Sequence, residues 1–146
     1  MNALASQYFD YIANILILDD SVFDRARLRR ALQSARIRCR IQEVESLHAA
    51  EAALNSNEFD LAILDYDLPD GTGHDMIKLL QHCPLNSQAS VMMITGNQST
   101  RIARASLEMG CLACISKEKI TPQVLKFAVA EAMYRSRYRS LASQPE

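Results

Sequence analysis

Five residues far apart in the chain could act together: Asp19, Asp20, Asp65, Thr95 and Lys117. Each follows a short apolar run. Ile15 to Leu18 ends at Asp19-Asp20, Leu61 to Leu64 at Asp65, Val91 to Ile94 at Thr95, and the weaker run Leu112 to Ile115 at Ser116-Lys117. Three carboxylates brought together repel one another unless a cation lies among them. Oxygen ligands of this kind suit Mg2+, which keeps several waters and leaves room for a phosphoryl oxygen. A carboxylate beside such a metal can act as a nucleophile toward phosphorus. A hydroxyl and an ammonium would then bind the other phosphoryl oxygens, which is the electrostatic logic of phosphoryl transfer.

For these positions to meet, the apolar runs must be neighbouring parallel strands. Runs of four or five apolar residues read as strands buried on both faces, and such strands occur mainly in parallel sheets covered by helices. Ile37, Cys39 and Ile41 alternate with Arg38, Arg40 and Gln42, a period of two that leaves one face wet and suits an edge strand. Helical patterns fill the gaps. Val22, Ala26, Ala31, Leu32 and Ala35 form one apolar stripe, with Arg25, Arg29, Arg30 and Arg36 elsewhere on the wheel. Leu47, Ala50, Ala53 and Leu54 form a second, with Ser46 as its expected N-cap. Helices over 73–81 and 99–109 follow, the first ended by Pro84 and the second by Gly110. The last helix opens on Thr121-Pro122 and carries Val124, Leu125, Ala128, Val129, Ala132 and Met133. Five strand–helix repeats imply an α/β protein, a doubly wound (βα)5 parallel sheet with right-handed crossovers and helices on both faces. The edge-like second strand fits the flavodoxin-like order 2-1-3-4-5, in which ligands bind beyond the carboxyl ends of the strands.

At 146 residues, 49% hydrophobic and 23% charged, the chain has the size and composition of one ordinary globular domain. Its 16 basic and 17 acidic residues leave a net charge of −1, so no global pull toward nucleic acid or a membrane follows. No apolar run approaches the ~20 residues of a membrane span, and the start of the chain is not patterned as an export signal. Four cysteines without such a signal read as reduced thiols in a cytoplasm. A secreted disulfide scaffold, a membrane protein and a multidomain enzyme are thereby excluded. Residues 1–13 are expected to form a short N-terminal extension, 14–134 the domain, and 135–146 the end of the last helix and a tail.

The segments ILILDDS, ILDYDLPDGTG, MMITG and ISKE, in this order at these strand ends, resemble the receiver domain of two-component response regulators over roughly residues 13–134. The resemblance implies that Asp65 accepts a phosphoryl group from a histidine kinase or a histidine phosphotransfer protein. It implies that Mg2+ is bound by Asp20, Asp65 and the backbone carbonyl of Asp67, with Asp19 acting through water. Thr95 would be the switch hydroxyl that moves to the phosphoryl group, and Lys117 would pair with a phosphoryl or carboxylate oxygen. Asp67 and Asn97, two residues beyond Asp65 and Thr95, stand where the family tunes the lifetime of that group. Because the resemblance takes up nearly the whole chain, a stand-alone receiver is expected. It would be a signalling protein rather than an enzyme, acting on an unknown downstream protein by contact or as a phosphoryl relay.

Two positions depart from the family. Three residues before the lysine it usually carries an aromatic that rotates inward on activation. Here Cys114 stands there, a thiol too small to fill the same pocket, so an atypical switch acting through Thr95 and the fourth helix is expected. After the lysine the family usually carries proline, often with a cis peptide. Here the residue is Glu118; a cis bond without proline costs ~3–4 kcal/mol, so a trans bond and an altered loop are expected. Cys111-Leu-Ala-Cys114 reads as buried thiols pointing to opposite faces of a strand. His48, His74 and His82 match no metal spacing.

Seven arginines within residues 25–40 read as a solvated helix face and a charged edge strand. Arg25 and Arg29 could also form a docking surface for the kinase or phosphotransfer partner. Without a helix-turn-helix, zinc finger or aromatic platform, nucleic acid is not the expected partner. Arg135, Arg137 and Arg139 could serve a homodimer or partner contact, against the plainer reading of a frayed terminus. Two other functions compete. Asp65-Tyr66-Asp67 with Asp70-Gly71-Thr72 looks superficially like the D-x-D-G-T motif of haloacid-dehalogenase-like phosphatases. That motif, however, belongs on a first strand, its acidic pair follows the lysine, and its Gly-Thr stands three residues closer. The remaining alternative is a degenerate receiver acting as an unphosphorylated scaffold.

Overall fold

The computed structural model describes residues 11–96 and 99–142. Five strands, β1 (Ala13–Leu18), β2 (Cys39–Val44), β3 (Leu61–Asp65), β4 (Ser90–Thr95) and β5 (Ala113–Ser116), pair in parallel. Their order across the sheet is β2-β1-β3-β4-β5, the doubly wound order expected from the sequence. Between and after them run α1 (Val22–Ser34), α2 (Leu47–Ser56), α3 (Gly73–Gln81), α4 (Thr100–Glu108) and α5 (Pro122–Ala142). A two-rung antiparallel hairpin, Asp67–Leu68 against Gly71–Thr72, links β3 to α3.

The central strands β1, β3 and β4 are almost wholly apolar because the sheet is buried on both faces there, whereas the edge strand β2 carries Arg40, Gln42 and Glu43. Alternate residues of β1 feed opposite layers. Ile15 and Ile17 pack with Leu28 and Leu32 of α1 and with Leu125 and Val129 of α5. Leu16 and Leu18 pack with Leu54 of α2 and with Met76, Ile77 and Leu80 of α3. Side chains set the helix boundaries. Ser21, Ser46, Thr72 and Ser99 each accept the N–H of the residue three on, as N-caps do. Thr121 does the same for Val124 at 3.2 Å. Gly110, at φ +101°, ends the α4 segment in the left-handed conformation that favours glycine.

Several expectations need correction. Val22 is 71% exposed and lies off the α1 stripe; the inward pair is Leu28 and Leu32, one helical turn apart. β2 begins two residues later than the alternating pattern and continues to Val44, because Arg25 and Arg29 neutralise Glu43 within the strand. Cys111 and Cys114 do not face opposite layers. Cys111 precedes β5 in the turn after Gly110, so strand alternation does not apply, and both thiols lie against the α2–α3 layer. α5 runs on to Ala142, so the helix end expected beyond residue 134 extends through most of the C-terminal segment. Residues 1–10, Asn97 and 143–146 lie outside the described residues, as does the side chain of Arg139.

Candidate functional site

Strand register assembles the site. Leu18 pairs with Leu64, so Asp19 and Asp65, the next residues, leave β1 and β3 side by side. Asp65 pairs with Ile94, and Thr95 with Ser116, so Thr95 and Lys117 rise one step further along β4 and β5. Asp19, Asp65 and Thr95 are 2%, 5% and 4% exposed, whereas Asp20 is open to solvent. The start of α3 fixes the Asp65 backbone from behind. Gly73 N–H donates to the Tyr66 carbonyl at 2.8 Å. A Cβ on Gly73 would collide with Met93 and come within 2.9 Å of the Asp65 carbonyl, so glycine is needed for this approach.

Lys117 reaches three carboxylates. Its Nζ lies 2.7 Å from Asp24 Oδ2, 3.2 Å from Asp19 Oδ2 and 3.4 Å from Asp65 Oδ2. Arg27 donates to its backbone carbonyl at 2.9 Å. Burial raises the pKa of Asp19, against the Ser21 N–H bond and the Lys117 charge. Burial, then the Asp19 charge, pushes Asp65 up to about 6, against Lys117 and the Asp67 N–H. Burial alone would lower Lys117, but the Asp24 hydrogen bond and the charges of Asp19 and Asp65 outweigh it and hold the ammonium above its usual range.

Ligand oxygens of Asp19, Asp20 and Asp65 all lie within 4.8 Å of one another. Two of these carboxylates are buried together, and the Asp19 charge disfavours ionisation of Asp65. This all-oxygen, charge-strained set fits a hard divalent cation. Asp67 donates its N–H to the Asp65 carboxylate.

Other residues bring what spacing could not reveal. Asp24 holds Lys117 across 93 positions. Arg25 donates to the Asp19 carbonyl at 2.6 Å and pairs with Glu43, and Arg29, partly exposed, pairs with Glu43 as well. Asp70, read as a loop residue, accepts the N–H groups of Leu47 and His48 at the start of α2, at 2.9 and 3.1 Å. Those two bonds hold its carboxyl below the usual range. Cys114 stands beside Ser106 of α4, whose hydroxyl also meets His74 Nε2 at 2.9 Å. Arg137 stacks over the Tyr11 ring at 4.3 Å, an internal contact for a residue considered for dimerisation. Lys117–Lys119 forms a 3-10 turn, and no peptide bond is cis among the described residues.

Solved structures share this fold. A response regulator receiver domain protein from Clostridium thermocellum superposes with a TM-score of 0.76 at 20% identity, over 87% of this chain and 98% of that one. A response regulator from Burkholderia pseudomallei, with a phosphorylated aspartic acid, calcium ion and citrate, gives 0.68 at 18% identity, over 91% of this chain and 75% of that one. Among curated proteins, the two-component response regulator ORR3 of Oryza sativa subsp. japonica is 33% identical over 99 residues, 66% of this chain and 73% of that protein. Against stress response regulator protein 1 of Scheffersomyces stipitis, 26% identical over 82 residues, the match spans only 28% of the relative's length. The response regulator receiver domain family matches residues 15–130. The chain belongs to the response regulator receiver domain family.

Proposed function

We propose that this receiver, over residues 14–134, accepts a phosphoryl group on Asp65 from a histidine kinase or histidine phosphotransfer protein and signals by protein contact or phosphorelay. The observation that carries the reading is a buried carboxylate, Asp65, grouped with Asp19 and Asp20 and 3.4 Å from the Lys117 ammonium. Asp65 Oδ attacks phosphorus, the bond from phosphorus to the donor atom breaks, and its electron pair leaves with the donor. The donor atom is a phosphohistidine nitrogen or, for a small donor, an acyl phosphate oxygen. With a pKa of about 6, Asp65 is mostly ionised at neutral pH and ready as a nucleophile. Asp20, Asp65 and the Asp67 carbonyl, with Asp19 through water, would hold Mg2+, which would supply the positive charge that lets carboxylates and phosphoryl oxygens share the pocket. Lys117 and Thr95 bind the remaining phosphoryl oxygens.

Exposed Val22 and Phe23, 71% and 68% exposed at the start of α1, offer apolar contact to the donor beside Asp20. The switch is atypical: Cys114 replaces the aromatic, and its neighbour Ser106 links β5 to α4. Asp67 and Asn97 tune the lifetime. The four cysteines are free, which supports a cytoplasmic location. No helix among the described residues is long and apolar enough to cross a membrane. Intact-mass measurement with acetyl phosphate and Mg2+ tests the reading. We expect the gain of one phosphoryl group, lost in Asp65→Asn. No gain from small donors or from kinases would instead favour an unphosphorylated scaffold.

A further inference from the structure

Lys117 is gripped from a direction that phosphoryl transfer does not require. An ammonium has three N–H donors and no acceptor. Its shortest contact is to Asp24, at 2.7 Å, within the range of strong charge-assisted hydrogen bonds. Its contact with Asp65, at 3.4 Å, is near the limit of a hydrogen bond. Asp24 belongs to no strand end. It sits in the first turn of α1, where Ser21 Oγ accepts its N–H at 3.2 Å and fixes its place. Arg27, on the same helix, holds the Lys117 carbonyl at 2.9 Å. α1 therefore grips Lys117 at both its ammonium and its backbone. A cavity of about 100 Å³ lined by Asp19, Asp24, Arg27, Leu28, Ile94 and Lys117 gives the side chain room to change partner. An acid in a first helical turn is favourable by itself, through the helix dipole. That plainer role would not need Lys117.

We propose that Asp24 is a positioning residue that holds the Lys117 ammonium back from Asp65, so that α1 sets how readily Lys117 reaches an incoming phosphoryl oxygen. The inference rests on Asp65 being the phosphoacceptor. When a phosphoryl group arrives, Lys117 exchanges the Asp24 carboxylate for a phosphoryl oxygen, and the grip of α1 on the β5 end is released. A protein bound on α1 could thus alter the acceptor chemistry without touching Asp65.

The test is the affinity for beryllofluoride, a phosphoryl mimic, in saturating Mg2+. Wild type, Asp24→Asn, Asp24→Glu, Lys117→Ala and the Asp24→Asn/Lys117→Ala double variant are compared. Freeing Lys117 from one charge-assisted hydrogen bond should tighten binding about tenfold in Asp24→Asn. Asp24→Glu should stay near wild type, and the gain should vanish in the Lys117→Ala background. Asp24→Ser, which still suits a helix start, should behave as Asp24→Asn does, and the urea midpoint of each variant shows that it is folded. Unchanged or weaker binding in both Asp24→Asn and Asp24→Ser overturns the role of Asp24. So does a gain that persists without Lys117, which would be a bulk charge effect. Wild type that neither binds beryllofluoride nor takes label from acetyl phosphate overturns the phosphoacceptor reading, and this inference with it.

Discussion

Asp65 must be buried to be shielded and ionised to react, and the two demands oppose each other. Burial and the Asp19 charge raise its pKa from 3.8 to about 6. The folded state therefore binds more protons than the unfolded chain between those values, and stability falls as pH rises through that window. A rise of this size corresponds to at most ~3 kcal/mol, present in full below the unfolded pKa and lost above about pH 6. In metal-free buffer, Asp65→Asn should be more stable than wild type by ~1–3 kcal/mol near neutral pH, with the gain closing by about pH 4. Urea unfolding at several pH values measures this, and a gain independent of pH would refute the charge argument. Asp65 was legible in the sequence because an apolar run ends on it, and the same holds for Asp19, Thr95 and Lys117. Asp24 and Asp70 were not legible. Their partners lie 93 and 23 positions away, and only the register of the sheet and the placing of the helices bring them into contact.

At the scale of elements, α4 differs from the other helices. Its only fully buried residue among those described is Ser106, a polar one. The Ser106 hydroxyl donates to the Ile102 carbonyl at 2.7 Å, so the His74 contact must use the His74 Nε2–H as donor. His74 in turn meets the Tyr66 ring edge-on, with centroids 5.0 Å apart, next to Asp65. A polar node thus ties α4 to α3 and to Cys114, where other helices bury aliphatic stripes. An element with few buried apolar contacts opens before the rest. Ser106→Ala leaves the His74 donor without its acceptor and should cost ~1–2 kcal/mol. Amide exchange should quicken most in residues 100–108, while β1 and β3 stay protected. Uniform loss of protection would show that α4 is not a separate unit. Sequence periodicity located α4, yet it could not reveal this node, whose members stand on three different elements. The α1 stripe differs from its sequence pattern for a related reason. An apolar residue such as Val22 at a helix start fits the pattern without having a layer to pack against.

For the molecule as a whole, the net charge of −1 averages over local imbalances. Arg25 and Arg29 are engaged by Glu43, while Arg36 and Arg38 in the connection after α1 and Arg40 on the edge strand remain exposed. At the carboxyl end of the sheet, Asp19, Asp20 and Asp65 face one another, and two of them, Asp19 and Asp65, share Lys117 with Asp24. Two apolar layers hold the strands in register, so this repulsion cannot relax by moving the backbone apart. A cation that binds only the folded state should therefore stabilise the entire domain. At a hundredfold excess over its dissociation constant, Mg2+ should add ~2.7 kcal/mol, raising Tm by about 5–10 °C. Protons compete for the same oxygens, so the rise should be larger at about pH 7.5 than at about pH 5, the reverse of the metal-free trend. Asp20 is exposed and outside the packed layers, so Asp20→Asn should abolish the Mg2+ effect while leaving the metal-free Tm nearly unchanged. A thermal melt with and without Mg2+ at matched ionic strength decides it. An equal rise in Asp20→Asn would mean that the stabilisation comes from screening rather than from a cation held between β1 and β3.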